Sequence, residues 1–438
     1  MKKRLFLSCL CVAVAFSSCN NEDVAMSEEN PVEIVSEQEN VYRISKEEAK
    51  ENLLFFMEQM DKPLEGEIST RNKAVRTVKN VEVIGNNKEK IMTYASAYDN
   101  NLLSTIKAET LMYQINFEEN QGFAIVSADK RSNKIYAIID EGSFRVDQIK
   151  QTDNPGFILF MEAAIKKEVE YIAAYNNKYA TTYSEGSGGP GGTVVGGNPP
   201  TGILVGKTPP RLKTRWGQRE PYNLYIPNNG STGCLEVAVA QILSYYQTIN
   251  SFTYYTTNVT LNWNKIISDC QNLNPHYGGL NLNSERQSTE QVAHLLRYLA
   301  LMQMDYYGAS VWLCDHCGLD RLPYYNYYTA NQAYTYVALG SLILMTGLGY
   351  DSSNNVVGHA WVIDGGAQYK RSATSNIYDY YSHCNWGWFG ECDGYFLSEV
   401  FNLNNGAGAP NYVEEGDRPG SRPIILDNSF NTIILFRR

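Results

Sequence analysis

Residues 230–246 read GSTGCLEVAVAQILSYY, and this stretch decides the fold of the second half of the chain. Glycines and hydroxyl residues precede Cys234, and helix-compatible residues follow it, with Leu235, Val239 and Ile242 spaced along one face. We therefore predict a helix that begins at or just before Cys234. The dipole and the free N–H groups of a first helical turn favour a thiolate, so Cys234 is a candidate nucleophile. A buried structural cysteine is the alternative.

Two later segments supply the groups that a cysteine nucleophile needs. His359 lies in 357–366, VGHAWVIDGG, where a strand is predicted to run from His359 to Ile363 and to end at the glycine pair. Asn385 opens NWGWFGECDGYF, where its amide could orient an imidazole and Trp386 could shield that contact from water. Each segment alone is also compatible with ordinary core or turn residues. The order Cys, His, Asn is that of papain-like proteases.

The C-terminal half resembles the streptopain family of cysteine proteases through four segments in that family's order. The resemblance implies a papain-like α+β fold, in which a helical subdomain led by the Cys234 helix packs on an antiparallel, barrel-like sheet that carries His359. Residues 432–436 should form a terminal strand of that sheet. The four segments are WGQREPYN at 216–223, TGCLEVAVAQ at 232–241, GHAWVIDG at 358–365, and NWGW at 385–388 with DGYF at 393–396.

The resemblance also implies catalytic roles by position. Cys234 would be the nucleophile and His359 the base, with the Cys234 sulfur within roughly 4 Å of a His359 ring nitrogen. Gln218 would contribute to an oxyanion hole beside the Cys234 backbone N–H. Asn385 would orient His359, and Trp386 would cover the pair. No metal and no cofactor is implied.

Three features depart from the family's pattern. Leu235 and Glu236 follow the cysteine where small residues are usual, and a carboxylate at Glu236 suits the helix dipole but opposes a nearby thiolate. Phe389 stands where a glycine is usual, which would alter the rim of the primed side of the cleft. Residues 303–335 are also atypical, with Cys314 and Cys317 among many tyrosines. Substrate preference is therefore open.

The N-terminal half predicts a small α+β domain without catalytic candidates. A helical pattern starts at Ser45, strands are predicted at 111–117, 123–127 and 134–140, and a second helix opens at Pro155. Residues 45–183 contain neither histidine nor cysteine. GFAIVSADK at 122–130 and DEGSF at 140–144 resemble the family's propeptide. The resemblance implies that the chain carries its own inhibitor in cis.

The N-terminus predicts export. Residues 1–18 carry Lys2, Lys3 and Arg4 before an apolar stretch of about 12 residues, which is too short to span a bilayer but typical of a signal peptide. Cys19 lies in a lipobox-like context, so we expect it to be lipidated and to anchor an exported, cell-surface or outer-membrane lipoprotein, from which the mature peptidase is released. An ordinary secretory signal is the alternative.

Local composition predicts the domain boundaries, and overall composition excludes two classes of protein. The acidic run after Cys19 predicts a tether over 19–44, the prodomain covers 45–183, a Gly/Pro-rich linker covers 184–205, and the peptidase domain covers 206–438. The 438 residues have a net charge of −10, which excludes a general nucleic-acid binder. With 43% hydrophobic and 19% charged residues, the chain is not globally disordered, and we expect a monomer.

The remaining cysteines leave alternatives open. Six cysteines lie outside the signal peptide and lipobox, and export makes disulfides between them possible. Cys314 and Cys317 form a C-x-x-C pair, but a zinc site would need His383, Cys384 or Cys392 at a spacing that matches no familiar zinc module. A redox motif would need a thioredoxin-like βαβ setting, which is not seen.

Together these features favour an exported cysteine endopeptidase made as a zymogen, which acts on proteins or peptides. A binding or adhesion lipoprotein on a protease scaffold is one alternative, and the 32 tyrosines would suit its surface. The presence of Cys234, His359, Gln218 and Asn385 argues against it, because a decayed scaffold usually loses at least one catalytic residue. A transferase or isopeptidase would use the same acyl-enzyme chemistry and stays open.

Overall fold

The computed structural model describes nine stretches of the chain, which are 41–61, 76–85, 110–143, 154–180, 202–272, 283–322, 329–350, 356–401 and 429–438. The predictions for the signal peptide, for Cys19 and for linker residues 184–201 lie outside these stretches. No helix in the described stretches has the length and apolarity needed to cross a membrane. We call residues 41–180 the N-terminal region and residues 202–438 the C-terminal region.

Both regions contain helices and strands. The helices are α1 (Lys46–Asp61), α2 (Pro155–Ala180), α3 (Cys234–Tyr246), α4 (Trp263–Asn272), α5 (Asn283–Leu301), α6 (Tyr306–Cys317) and α7 (Ala330–Ala338). The strands are β1 (Val78–Gly85), β2 (Thr110–Phe117), β3 (Phe123–Ser127), β4 (Ile135–Ile139), β5 (Ile203–Thr208), β6 (Ser251–Tyr254), β7 (Thr257–Thr260), β8 (Leu319–Arg321), β9 (Leu342–Tyr350), β10 (Val356–Lys370), β11 (Tyr378–Asn385), β12 (Gly394–Leu397) and β13 (Ser429–Arg437).

One antiparallel sheet of eleven strands joins the two regions within the described stretches. Its order is β1-β2-β3-β4-β12-β11-β10-β9-β13-β8, and β5 also pairs with β10. The junction is the β4–β12 ladder, where Ile139 lies opposite Gly394 and Ala137 opposite Phe396. A Cβ at Gly394 would lie 2.8 Å from the Cα of Ile139, so the close approach requires glycine. The two predicted domains therefore share one sheet.

Helix α2 of the N-terminal region packs against aromatic residues of the C-terminal region. Phe160 lies edge-on to Phe396 with ring centroids 4.7 Å apart and is tilted against Phe401 at 5.6 Å, and Phe157 also contacts Phe396. All four rings are buried to at least 99%. Each such ring contributes about 2 kcal/mol of burial free energy. The N-terminal region therefore packs into the core of the C-terminal region.

Helix α3 forms the centre of the helical subdomain. It begins at Cys234 as predicted, because Gly233 has φ of 100°, a left-handed conformation that favours glycine. Every residue of α3 from Val237 to Ser244 is buried. At its end the Tyr246 hydroxyl donates to the Leu435 carbonyl at 2.7 Å and accepts from the Leu342 N–H at 3.1 Å. These bonds fasten α3 to β13 and β9, and β13 contains the predicted terminal strand.

The predicted α+β class and the antiparallel sheet that carries His359 are confirmed, whereas two predicted boundaries differ from the structure. The linker was predicted to reach residue 205, but residues 203–205 already lie in β5, which pairs with β10. The tether was predicted to reach residue 44, but Ile44 is 2% exposed and its N–H donates to the Ala128 carbonyl. Both stretches are short, so pairing partners distant in sequence decide their structure.

Strand β10 is longer than predicted. Gly365 and Gly366 do not end it, because it continues to Lys370 through a register shift between Ile363 and Gly365. A Cβ at Gly365 would lie 3.0 Å from the Thr208 carbonyl oxygen and 2.9 Å from the His383 Cβ. The glycines thus permit a bulge and close packing of β5 and β11, where the sequence pattern indicated a strand end.

Candidate active site

Cys234 occupies the first position of α3 and is half-buried. Burial raises the pKa of its thiol above the ordinary value. Backbone N–H groups oppose this effect, the strongest being that of Ala360, which lies next to His359 on β10. The helix therefore brings the sulfur to the strand that carries the candidate base, and the thiol is protonated at neutral pH in this state.

Glu236 folds back over the start of the same helix. A Cβ at Gly233 would collide with the Glu236 Oε2 atom, so the carboxylate occupies space that only a glycine leaves open. Its negative charge is one of the causes that raise the Cys234 pKa. Burial in turn raises the pKa of the Glu236 carboxyl. The predicted opposition between Glu236 and a thiolate is confirmed in direction.

Replacing Glu236 with glutamine should therefore make Cys234 more reactive. The change keeps the shape and removes the charge, so the thiol pKa should fall, and alkylation by iodoacetamide near neutral pH should accelerate by up to about tenfold. The rate at Cys234 is followed by mass spectrometry across pH. Glu47→Gln is the control, because Glu47 is also a first-turn carboxylate, in α1. An unchanged pH profile for Glu236→Gln would contradict the assignment.

His359 is buried in β10, opposite Gly347 of β9. Its Nε2 lies 2.7 Å from the Trp386 carbonyl oxygen. A carbonyl only accepts, so Nε2 carries the proton, and Nδ1 has no hydrogen-bond partner among the described residues. Burial lowers the pKa of the imidazole to about 4, although the Trp386 contact opposes this. A neutral imidazole and a neutral thiol do not form the ion pair that makes a reactive nucleophile.

Asn385 does not make the predicted hydrogen bond to His359. Its Oδ1 accepts from the Gln241 Nε2 at 2.8 Å and from the Gly387 N–H at 3.1 Å, and its Nδ2 donates to the Thr214 carbonyl at 2.9 Å. Both ends of the amide are thus satisfied by buried groups. The carbonyl of the next residue, Trp386, takes the position at His359 that was expected for the Asn385 side chain.

Trp386 lies at the centre of an aromatic group around the base. Its buried ring is 4.9 Å from that of Trp361, and its Nε1 donates to the Cys392 carbonyl at 2.9 Å. Trp361 stacks on His359 at 6.2 Å, and Trp388 meets His359 edge-on at 6.3 Å. From the sequence, a covering role was expected of Trp386 alone. Trp361 and Trp388 were missed, although both flank motif residues.

Gln218 is tied to the loop that leads into Cys234. Its side-chain Oε1 accepts from the Ser231 Oγ at 2.9 Å, and its carbonyl accepts from the Thr232 N–H at 2.9 Å. Because the amide oxygen is held by Ser231, the Nε2 donor of Gln218 is left for another acceptor. This is the polarity that an oxyanion hole requires. Its role there stays a prediction.

The start of α2 lies against the candidate base. A Cβ at Gly156 would be 2.6 Å from the His359 Cδ2 and 2.8 Å from the Trp386 Cζ3, so only glycine fits. Asn154 fixes this helix start, since its Oδ1 accepts from the Phe157 N–H at 3.2 Å and its Nδ2 donates to the Glu391 carbonyl at 2.8 Å. The N-terminal region thus covers one side of His359.

A buried charge cluster links the same two regions nearby. His383 Nδ1 donates to Asp364 at 2.6 Å and Nε2 donates to Asp140 at 3.0 Å. Burial alone would lower the pKa of His383, but the two carboxylates raise it to about 10, so the ring is an imidazolium. Arg215 pairs with Glu141 at 2.8 Å beside it. From the sequence, His383 was expected only as a zinc ligand.

The structure holds neither zinc ligands nor disulfides in its described part. The six cysteines there are free thiols, and no three His, Cys, Asp or Glu side chains are grouped to hold a metal ion. Cys314 and Cys317 lie in α6 and are buried. Both ring nitrogens of His383 are taken by carboxylates, which removes the ligand that the zinc alternative needed.

Comparison with known proteins adds two family matches. Residues 216–396 match the Peptidase C10 family, and residues 42–167 match the Spi protease inhibitor family. The second match begins within the predicted tether. The Peptidase C10 match includes the five residues predicted for the active site, which are Gln218, Cys234, His359, Asn385 and Trp386.

Individual relatives and solved structures extend the comparison. Streptopain from Streptococcus pyogenes serotype M1 is 27% identical over 343 residues, which cover 68% of this chain and 77% of that protein. A prointerpain A fragment from Prevotella intermedia is 19% identical with a TM-score of 0.42, and the match covers 67% of this chain and 91% of the fragment. Active interpain A cysteine protease from the same organism is 21% identical with a TM-score of 0.33, covering 44% and 87%.

Proposed function

We infer that this chain, in which a Spi protease inhibitor propeptide precedes a Peptidase C10 domain of the streptopain family, is the zymogen of an exported cysteine endopeptidase. In the active enzyme the Cys234 sulfur attacks a peptide carbonyl, and His359 takes the thiol proton and passes it to the leaving amine. Water then hydrolyses the thioester. Gln218 Nε2 and the Cys234 N–H stabilise the oxyanion of each tetrahedral intermediate.

One observation supports latency above all, and it is the contact of Gly156 with His359 and Trp386. The helix start excludes water and substrate from that side of the imidazole. Burial then keeps His359 neutral and raises the pKa of the Cys234 thiol, so no thiolate–imidazolium pair forms. The inhibitor acts through desolvation of the site as well as by obstruction.

Activation reverses the pKa shifts of both His359 and Cys234. Departure of α2 admits water to His359, which raises its pKa and favours the imidazolium. A positive imidazole beside Cys234 in turn lowers the pKa of the thiol. While the linker is intact, it keeps the inhibitor at a high effective concentration, so a cut within 184–201, ahead of β5, is the step that permits release.

Export and anchoring complete the proposal. The signal-like residues 1–18, followed by Cys19, support a lipid anchor, and residues 19–41 would then hold the zymogen off the membrane surface. Metabolic labelling with a radioactive fatty acid tests this step. Label should appear on the wild-type chain and be lost in Cys19→Ser, and equal labelling of both would overturn the anchor. The peptidase released by processing would carry no lipid.

The activity itself is tested with a thiol-reactive peptide probe on purified chain, before and after limited proteolysis. Probe should label Cys234 only after the linker is cut, and peptide turnover should appear with it. Absence of labelling and of turnover after cutting would overturn the peptidase in favour of a binding protein. Product analysis with an added amine separates hydrolysis from acyl transfer, because both pass through the same thioester.

The buried charge cluster predicts how firmly the inhibitor is held. Replacing Asp140 with asparagine leaves a buried imidazolium with one carboxylate, so it should destabilise the full-length chain by about 2 kcal/mol. The folded pKa of His383 is raised above its ordinary 6.5 to about 10. Its stabilising contribution is therefore complete below pH 6.5 and is lost as pH rises to about 10.

Urea unfolding of the full-length Cys234→Ala protein measures this effect. The difference in the free energy of unfolding between Asp140→Asn and its parent should be largest near pH 6 and should shrink toward pH 10. Glu141→Gln is the matched control, because the Arg215–Glu141 pair is 39% and 57% exposed and should contribute almost nothing. Equal effects of both substitutions at every pH would show that His383 is not the charge being held.

A further inference from the structure

Phe389 adopts a backbone conformation that suits glycine. Its φ is 58°, in the left-handed region, where a bulky side chain costs conformational free energy. Glycine is the residue expected here from the family pattern. Such strain persists only where the surrounding structure holds it, and it is concentrated at functional sites. The Phe389 ring must therefore make stabilising contacts that a glycine could not make.

The ring lies in a slot above Gly217. A Cβ at Gly217 would be 2.5 Å from the Phe389 Cζ, so the absent side chain is what admits the ring. Phe389 also stacks on Tyr222 with centroids 5.9 Å apart and planes at 25°. Its N–H donates to the Trp216 carbonyl at 3.2 Å. One residue thus holds the 216–217 backbone by ring packing and by a hydrogen bond.

Gln218 follows directly in the chain. On its other side it is fixed by the bonds from the Ser231 hydroxyl and the Thr232 N–H, each 2.9 Å. Gln218 therefore lies between the Phe389 contact and the loop that ends at Cys234. Movement of Gly217 would move the amide of Gln218, because no other residue separates them.

We propose that Phe389 is a positioning residue for catalysis, which packs into the Gly217 slot and thereby holds the Gln218 Nε2 at the oxyanion position. The proposal rests on the proposed function, since it assigns Gln218 a role in peptide hydrolysis. Oxyanion donors act by being fixed before charge develops, so a loosened donor loses rate even when substrate binding is unchanged. The alternative is that Phe389 only fills the aromatic cluster of the helical subdomain.

A double-mutant cycle with Gln218 separates the two possibilities. The full-length chain is processed by limited proteolysis, and Phe389→Gly, Gln218→Ala and the double variant are compared with wild type. Phe389→Gly should lower kcat about tenfold, with KM and the alkylation of Cys234 by iodoacetamide within about twofold, because alkylation forms no oxyanion. In the Gln218→Ala background the same change should have little further effect. The kcat of Phe389→Leu should lie between those of wild type and Phe389→Gly.

Tyr255→Gly is the matched control. Tyr255 is also an aromatic residue at left-handed φ, 49°, and it is 77% exposed, so its loss should leave every rate unchanged. An equal loss from Phe389→Gly with and without Gln218, or no loss at all, would overturn the proposal. A rate of alkylation that falls with kcat would do the same, since it would mean general damage to the site.

Hydrogen exchange on the unprocessed chain gives a readout that does not need activity. Phe389→Gly should accelerate amide exchange in 216–222 at least severalfold, and Tyr255→Gly should not. Unchanged exchange would overturn the positioning role. A wild-type protein without peptide turnover after processing would instead overturn the proposed function, and the exchange result would still decide whether Phe389 fixes the Gln218 segment.

Discussion

Replacing Cys234 with alanine is expected to lower peptide turnover by the processed enzyme at least about 10⁴-fold. The variant has no sulfur to form the thioester, and no other side chain at the start of α3 can replace it. His359→Ala should lose nearly as much, because the thiol then has no base to take its proton and no cation to stabilise the thiolate. Turnover of a fluorogenic peptide measures both losses.

Two further variants give the activity losses against which this result is compared. Asn385→Ala should cost about 10- to 100-fold, because Asn385 acts on the base through its neighbours and forms no bond with substrate. Cys270→Ala is the control, since Cys270 is also a half-buried free thiol with a pKa raised by burial. It should retain full activity. Normal turnover by Cys234→Ala would end the assignment of the nucleophile.

The second large effect is expected from Gly156→Val in the unprocessed chain. The new side chain overlaps His359 and Trp386, so the start of α2 must move away from the site. Overpacking of this kind typically costs about 1–3 kcal/mol, which corresponds to a roughly five- to 150-fold larger population with an open site. Peptide turnover before any cleavage should rise by that factor, and so should probe labelling of Cys234.

Processing supplies an internal control for Gly156→Val. The substituted residue belongs to the region that is removed, so the processed enzyme should have the same kcat and KM as wild type. Gly308→Ala, in the first turn of α6, tests whether a bulkier residue at any helical glycine activates the chain. If unprocessed Gly156→Val were as silent as wild type, the contact at His359 would not be what keeps the site inactive.

Local sequence patterns predicted the elements that carry the site. The glycine before Cys234 and the apolar spacing after it placed the start of α3 correctly, because a cap and a helical face are both encoded within a few residues. The β2–β3 hairpin and the opening of α2 at Pro155 were predicted for the same reason. The first position of a helix and the partner of a hairpin strand are local properties.

Contacts between distant segments were not predictable in this way. Asn385 bonds to Gln241 and Thr214, and which of several buried groups an amide chooses depends on packing that spacing does not encode. Asp140 reaches His383 across 243 positions of sequence. Gly156 gave no indication of its place against His359, since a glycine in a first helical turn is unremarkable by itself. Knowledge of the strand pairing is needed first.

The β4–β12 ladder has a consequence for the solubility of the processed enzyme. Once the N-terminal region leaves, the Gly394–Phe396 segment changes from an interior strand to a sheet edge with unpaired backbone N–H and C=O groups. The rings of Phe396 and Phe401 lose the cover of α2 at the same moment. Exposed apolar edges recruit strands from other molecules, which leads to aggregation. The propeptide therefore delays self-association as well as proteolysis. Its removal exposes both the catalytic cleft and a sheet edge that is prone to aggregation.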